Sequence, residues 1–142
     1  ASNSSGSTSG SASSSSGGSS SSGASVSGGG SGASIASYAL KFVGNPYVSG
    51  GTSLTNGADC SGFTWAVYQN FGISIPRQSD AQGHSGKSVS YADAQAGDII
   101  YYGGHVGIYI GGGRIVHAST AKTGIKISSA TYRSILSVRR YY

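Results

Sequence analysis

Residues 1–32 set the first limit on what this chain can fold into: apart from Asn3 and Val26 they are Ser, Gly, Ala and Thr throughout. A stretch of that kind has almost no apolar surface to bury, so nothing offsets the entropy of ordering it. Residues 1–33 are therefore expected to form a flexible linker, a Gly/Ser coil with a root-mean-square span of about 30 Å. All 9 Lys and Arg and all 4 acidic residues lie beyond position 40, and apolar periodicity begins at Ile35. Folding falls to residues 34–142, about 110 residues, a length that can carry its own core.

Composition narrows the partners. No apolar run approaches the roughly 18 residues that a membrane span needs. The net charge of +5 suits anionic surroundings such as wall polymers, nucleic acid or a membrane surface. Only Arg139 and Arg140 adjoin, however, and such scattered basic residues do not make a nucleic-acid footprint. The chain does not begin with methionine and reads as a mature or excised piece of a larger multidomain protein, secreted and monomeric.

Within the domain the apolar period changes once. Ser34 followed by "IASYALKFVG" predicts a short helix with Ser34 as N-cap, Ile35, Ala39, Phe42 and Val43 on its apolar side, and Gly44 as its stop. "YVSGGTSLTNGAD" has too many glycines and polar residues for regular structure and is expected to be a loop. "CSGFTWAVYQNFG" returns to helical spacing, with Asp59 or Cys60 at its start and Gly72 at its C′ position. After Asp98 the period becomes two: "DIIYY", "HVGIYI", "RIVHAS", "GIKIS" and "SVRRYY" read as short strands. Helices followed by a run of antiparallel strands describe an α+β domain.

Cys60 is the only cysteine, so an internal disulfide is excluded. A thiol at a helix start can be a small buried side chain, or a nucleophile whose pKa the helix terminus lowers. The histidines help to separate these readings. If Gly111 to Gly113 form a loop, Ile110 pairs with Arg114, Ile108 with Val116 and Val106 with Ala118. His105 and His117 then share the opposite face as diagonal neighbours, about 7–8 Å apart at Cα. Two histidines on one face are open to three readings: a polar face in solvent, a metal site, or a base with its orienting partner. A structural zinc site usually draws on a cysteine pair, which is absent, so no metal or cofactor is expected. A thiol nucleophile needs a base and the base needs an orienter, and Cys60, His105 and His117 can supply these three in order. His84, in a polar stretch, reads as a surface residue.

Four motifs carry these residues: "GNPYVSGG", "DCSGFTWAVYQNFGISIPRQSDAQ", "AGDIIYYG" and "HVGIYIGGGRIVHAS". In order and spacing the chain from Ile35 to Val138 resembles the NlpC-type cell-wall cysteine endopeptidases, a compact papain-like family. The resemblance implies a helix carrying the cysteine, packed on a small antiparallel sheet carrying the histidines. It implies hydrolysis of peptidoglycan stem peptides, typically after γ-linked D-glutamate, with Cys60 as nucleophile, His105 as base and then acid, and His117 as orienter. It further implies that Tyr47 helps to hold the oxyanion, that Asp59 and Ser61 receive the free amino end of the substrate, and that Arg77 and Ser79 lie by the D-glutamate. The charges agree: a carboxylate suits an ammonium, and the guanidinium fork suits a free carboxylate. Seen alone, Asp59 is equally a helix N-cap and Arg77 a surface charge. Val48 stands where many relatives have tryptophan. Two other readings stay open, a non-catalytic wall-binding module and a papain-like amidase or acyltransferase.

Overall fold

The computed structural model describes residues 30–142, so the expected linker lies outside the described residues except for positions 30–33, which are helical. Helix α1 (Gly30–Leu40) starts ahead of Ser34, which is an exposed position inside it and not its N-cap. Packing accounts for the earlier start. A Cβ on Gly32 would strike the Ala96 carbonyl and the Tyr142 hydroxyl, and the Gly97 turn in its left-handed conformation (φ 95°) lies directly against the Gly32 backbone. Two glycines let the segments touch, a contact that leaves no periodic trace in sequence. α1 buries Ile35, Ala36 and Ala39, while Val43 lies past the helix end and is exposed.

The Gly-rich stretch after Tyr47 is more ordered than expected. It holds a short antiparallel ladder, β1 (Thr52–Ser53) with β2 (Gly57–Ala58), that leads into helix α2 (Cys60–Gln69). Asp59 caps α2, its Oδ1 accepting the Gly62 N–H at 2.7 Å. The far end closes as Gly72 predicts: Ile73 N–H donates to the Tyr68 carbonyl at 3.1 Å and Gly72 N–H to the Gln69 carbonyl at 3.0 Å, with Gly72 at φ 73°. A single-turn helix α3 (Ser79–Gln82) and the strand β3 (Lys87–Val89) follow, in a stretch with no clear period.

The remaining strands are β4 (Ile99–Tyr101), β5 (Val106–Gly111), β6 (Arg114–Thr120), β7 (Gly124–Ser129) and β8 (Ser137–Arg140). They form an antiparallel sheet in the order β3-β8-β4-β5-β6-β7. The helices cover one face, where Phe63, Val67 and Tyr68 of α2 meet Val106, Ile108, Ile110, Val116 and Ala118. Burying these side chains supplies the main driving force for docking α2 on the sheet. The other face carries a second cluster of Ile100, Tyr102, Ile115, Ala130 and Val138. The architecture is α+β.

Within the β5–β6 hairpin Ile108 faces Val116 and Tyr109 faces Ile115, as the alternation predicts. The turn differs. Arg114 pairs with Gly111 and not with Ile110, so Ile110 is the extra residue of a bulge, and the connection is Gly112 (φ 64°) and Gly113 (φ 77°). A two-residue turn with both residues left-handed matches the twist of antiparallel strands better than a three-glycine loop. The bulge leaves Ile110 wholly buried in the aliphatic core.

Candidate active site

The start of α2 meets the start of β5. Cys60 Sγ points at the backbone ahead of β5, 4.0 Å from the Gly104 carbonyl oxygen and in reach of the Val106 N–H. His105 lies between those two residues in the chain, one position before β5 begins. Its Nε2 lies 2.7 Å from His117 Nδ1, and among the described residues its Nδ1 makes no hydrogen bond. The rings meet edge to face, with centroids 5.0 Å apart. His117 is fully buried, and its Nε2 lies 2.8 Å from Ser128 Oγ on β7. The Tyr132 ring covers His117 and the Tyr102 ring flanks His105. The face that carries the histidines is thus an aromatic-lined interior, not a polar surface in solvent.

Of the two effects open to a thiol at a helix start, burial prevails: it pushes the Cys60 thiol up, the Val106 N–H opposes this and the Asp59 carboxylate adds to it. Burial, with Arg133 adding, pushes His105 down to about 4. His117 is pushed down to about 3 by burial, then by His105, Lys126 and Arg133. Near neutral pH the resting site holds a neutral thiol beside two neutral imidazoles, because no compensating charge reaches this interior.

The residues expected to bind substrate are partly tied to one another. Arg77 Nη1 donates to Ser61 Oγ at 2.8 Å and Nη2 to Asp59 Oδ2 at 3.2 Å, and Asp59 Oδ2 also accepts the Gly50 N–H at 2.9 Å. Burial works against the Asp59 carboxylate, yet the Gly62 N–H, Arg77 and the Gly50 N–H hold its pKa below the usual value. Tyr47 stands beside this group, its hydroxyl pKa raised by burial and by the nearness of Cys60 and Asp59. Val48 lies over Gly57 and stays exposed. Ser79 opens α3, half-buried, and among the described residues no side-chain bond ties it to this network. His84 is exposed, as expected.

Among the described residues no group of three or more His, Cys, Asp or Glu converges as a metal-ligand set. No described helix is long and apolar enough to cross a membrane. An open groove of about 670 Å³ runs along residues 88–91, 131 and 133–139, and none of the candidate residues lines it.

The NlpC/P60 family model matches residues 44–138 of the chain. The chain belongs to the NlpC/P60 family. Among its relatives, a "probable endopeptidase" of Corynebacterium glutamicum is 42% identical over 114 residues, which cover 78% of this chain and 54% of that protein. A "Gamma-D-glutamyl-L-lysine dipeptidyl-peptidase" of Bacillus subtilis is 35% identical, over 71% of this chain and 38% of its own length. The chain thus spans about half, or less, of the curated relatives it matches. The crystal structure of the NlpC/p60 domain of peptidoglycan hydrolase SagA superposes with a TM-score of 0.71 at 35% identity, over 78% of this chain and 99% of that one. The α+β fold of this NlpC/P60 domain is the papain-like one expected.

Three residues around the candidate site of this NlpC/P60 domain were not singled out from the sequence. Gln82 is fully buried and satisfied: Nε2 donates to the carbonyls of Ser61 (3.0 Å) and Pro76 (2.9 Å), and Oε1 accepts the Thr64 hydroxyl (2.6 Å). It fastens the first turn of α2 to the segment that carries Arg77. Asp80 Oδ1 accepts the Tyr101 hydroxyl and, at 3.2 Å, the Gly104 N–H, so α3 holds the Gly103–Gly104 turn that aims His105. Ser128 is the third. Asp80 and Gln82 close the second motif and Ser128 lies outside all four, and each acts through partners that no local pattern reveals.

Proposed function

We propose that this chain carries the catalytic domain of a secreted cell-wall hydrolase, a cysteine endopeptidase that cuts peptidoglycan stem peptides at the bond from γ-D-glutamate to the diamino acid. The observation that carries the reading is the 2.7 Å bond between His105 Nε2 and His117 Nδ1, with His105 placed in the chain between Gly104 and Val106, whose backbones approach Cys60 Sγ. A binding module has no use for a bonded imidazole pair at the segment whose backbone touches a thiol. The names of the endopeptidase and peptidoglycan hydrolase relatives support the substrate class.

The reaction starts from neutral partners. As Sγ attacks the γ-glutamyl carbonyl carbon, its proton passes to His105 Nδ1, and the C–O π pair moves onto oxygen. The Cys60 N–H, which lies in the first turn of α2 and has no intrahelical acceptor, and the Tyr47 hydroxyl are the donors for that oxyanion. The His105 imidazolium returns its proton to the leaving amine as the C–N bond breaks. Water, deprotonated by His105, then cleaves the thioester and restores the thiol. The closer thiol–imidazole contact this requires is of the kind that tightens when substrate binds. Asp59 and Arg77, already paired, offer the substrate's ammonium and carboxylate an exchange of partners.

The test is mass spectrometry of purified muropeptides incubated with the chain and with Cys60→Ala. Cleavage after D-glutamate by the intact chain alone is the expected result. Binding without cleavage by both proteins would move the reading to a wall-binding module, and a different scissile bond would replace the substrate while keeping the thiol chemistry.

A further inference from the structure

We propose that Ser128 is a positioning residue of this site: its hydroxyl accepts the His117 Nε2–H and thereby selects the tautomer that leaves His105 Nδ1 free to take the thiol proton. The proposal rests on the peptidase reading above and adds a fourth member to its proton path.

Both nitrogens of His117 are committed, Nδ1 to His105 Nε2 at 2.7 Å and Nε2 to Ser128 Oγ at 2.8 Å. The side chain is fully buried, so neither nitrogen has water as a substitute partner. A neutral imidazole has one N–H and one lone pair, which allows the chain of three groups only two consistent directions. In the first, His105 Nε2–H donates to His117 Nδ1 and His117 Nε2–H donates to Ser128 Oγ, which leaves a lone pair on His105 Nδ1. In the second, the Ser128 hydroxyl donates to His117 Nε2, His117 Nδ1–H donates to His105 Nε2, and the His105 proton sits on Nδ1. The second direction has no base facing Cys60.

An orienting carboxylate or carboxamide oxygen only accepts and so admits one direction. A second imidazole admits both, and the choice passes to whatever stands behind it. Here that is Ser128, which the β6–β7 register places on the same face as His117, diagonal to it, because His117 faces Lys126 and Ile115 faces Ser128. β7 is the edge strand of the sheet and Ser128 is half-buried, so its hydroxyl can send its own proton to solvent and turn a lone pair to the ring. A neutral acceptor also suits the surroundings. His105 from the start of β5, Lys126 from β7 and Arg133 from the segment after it all face His117, together with the uncharged Tyr132 ring. A carboxylate in place of Ser128 would draw a second proton onto His117 next to the imidazolium that forms on His105.

The experiment compares the full chain with Ser128→Ala and Ser128→Thr by imidazole ¹⁵N NMR and by muropeptide kinetics. In the intact chain His117 is expected to show a protonated Nε2 and an unprotonated Nδ1. Ser128→Ala is expected to mix the tautomers and to lower kcat by about 10 to 100-fold, part of the range that general acid–base work contributes, with KM within about twofold. Ser128→Thr keeps the hydroxyl and is expected to restore both the single tautomer and kcat. A His117 ring protonated on Nδ1 in the intact chain, or a Ser128→Ala chain with unchanged tautomer and kcat, would overturn the proposal. Equal losses in Ser128→Ala and Ser128→Thr would mark Ser128 as a packing residue and overturn it as well. If the intact chain cleaves nothing, the peptidase reading fails by itself, and the NMR comparison still decides what Ser128 does, since it needs no substrate.

Discussion

On the α2 wall of the candidate cleft, Asp59 and Arg77 form an ion pair with their side chains 18% and 30% exposed, fastened to Ser61 and to the Gly50 and Gly62 N–H groups. On the β5–β7 wall, His105, His117 and Ser128 are joined by bonds just as short, but burial keeps both rings neutral down to about pH 4. One wall keeps full charges because each has a counter-charge and some water. The other excludes charge because its lining is aromatic and its nearest charged neighbours are cations. Under the proposed function the contrast separates two tasks. Recognition of a zwitterionic peptide end needs fixed charges, whereas proton transfer needs a group that becomes charged only in the transition state.

The two walls can be broken separately. Loss of the base has the largest expected effect: His105→Ala should lower kcat by about 10² to 10⁴-fold with KM little changed, measured by muropeptide turnover. Acid should attack the same wall next. The folded histidine values lie below the ordinary 6.5, so both rings stay neutral and competent above about pH 4 and gain protons below it. The acid limb of kcat/KM should therefore fall near pH 4, for the His105–His117 pair as a unit, and not near 6.5. The same sign governs stability. The unfolded chain binds more protons between about pH 4 and the ordinary histidine value, so Tm should decline as pH falls through that window.

Gln82→Leu tests the joint beneath the charged wall. It strands the Pro76 carbonyl, while the Thr64 hydroxyl and the Ser61 carbonyl keep each other at 2.9 Å, and should cost about 1–3 kcal/mol, read from urea unfolding. Arg77→Lys should raise KM about tenfold and leave kcat alone, since a point charge cannot reproduce the fork that reaches both Ser61 and Asp59. The smallest change is expected for Asp80→Asn, which keeps an acceptor for the Gly104 N–H. Asp80→Ala, which removes it, should loosen the turn before His105, read as faster amide hydrogen exchange at Gly104.

Much of the site was legible because its parts are local patterns. Alternation across the hairpin placed His105 and His117 on one face, and the structure brings their rings into contact across that face. Asp59 and Gly72 mark the ends of α2 by the chemistry of capping, which depends only on neighbours within a turn. The misses have a common cause. Ser34 has the chemistry of an N-cap, but α1 runs back to Gly30 alongside a glycine contact with a turn remote in sequence. A helix start left the thiol open to acidification or to burial, and burial against the β5 loop decides it.

What the sequence by itself determined was the two long helices, the five strands after Asp98 and which of their side chains share a face. These follow from periods of 3.6 and 2. Tertiary structure alone decided the bulge at Ile110, the pairing of Arg77 with Asp59, and the Gln82 and Asp80 joints. It alone decided the protonation states and the place of Ser128 behind His117. Each of these depends on which distant groups share a small volume and on how much water they lose there, and neither quantity is written in any local run of residues.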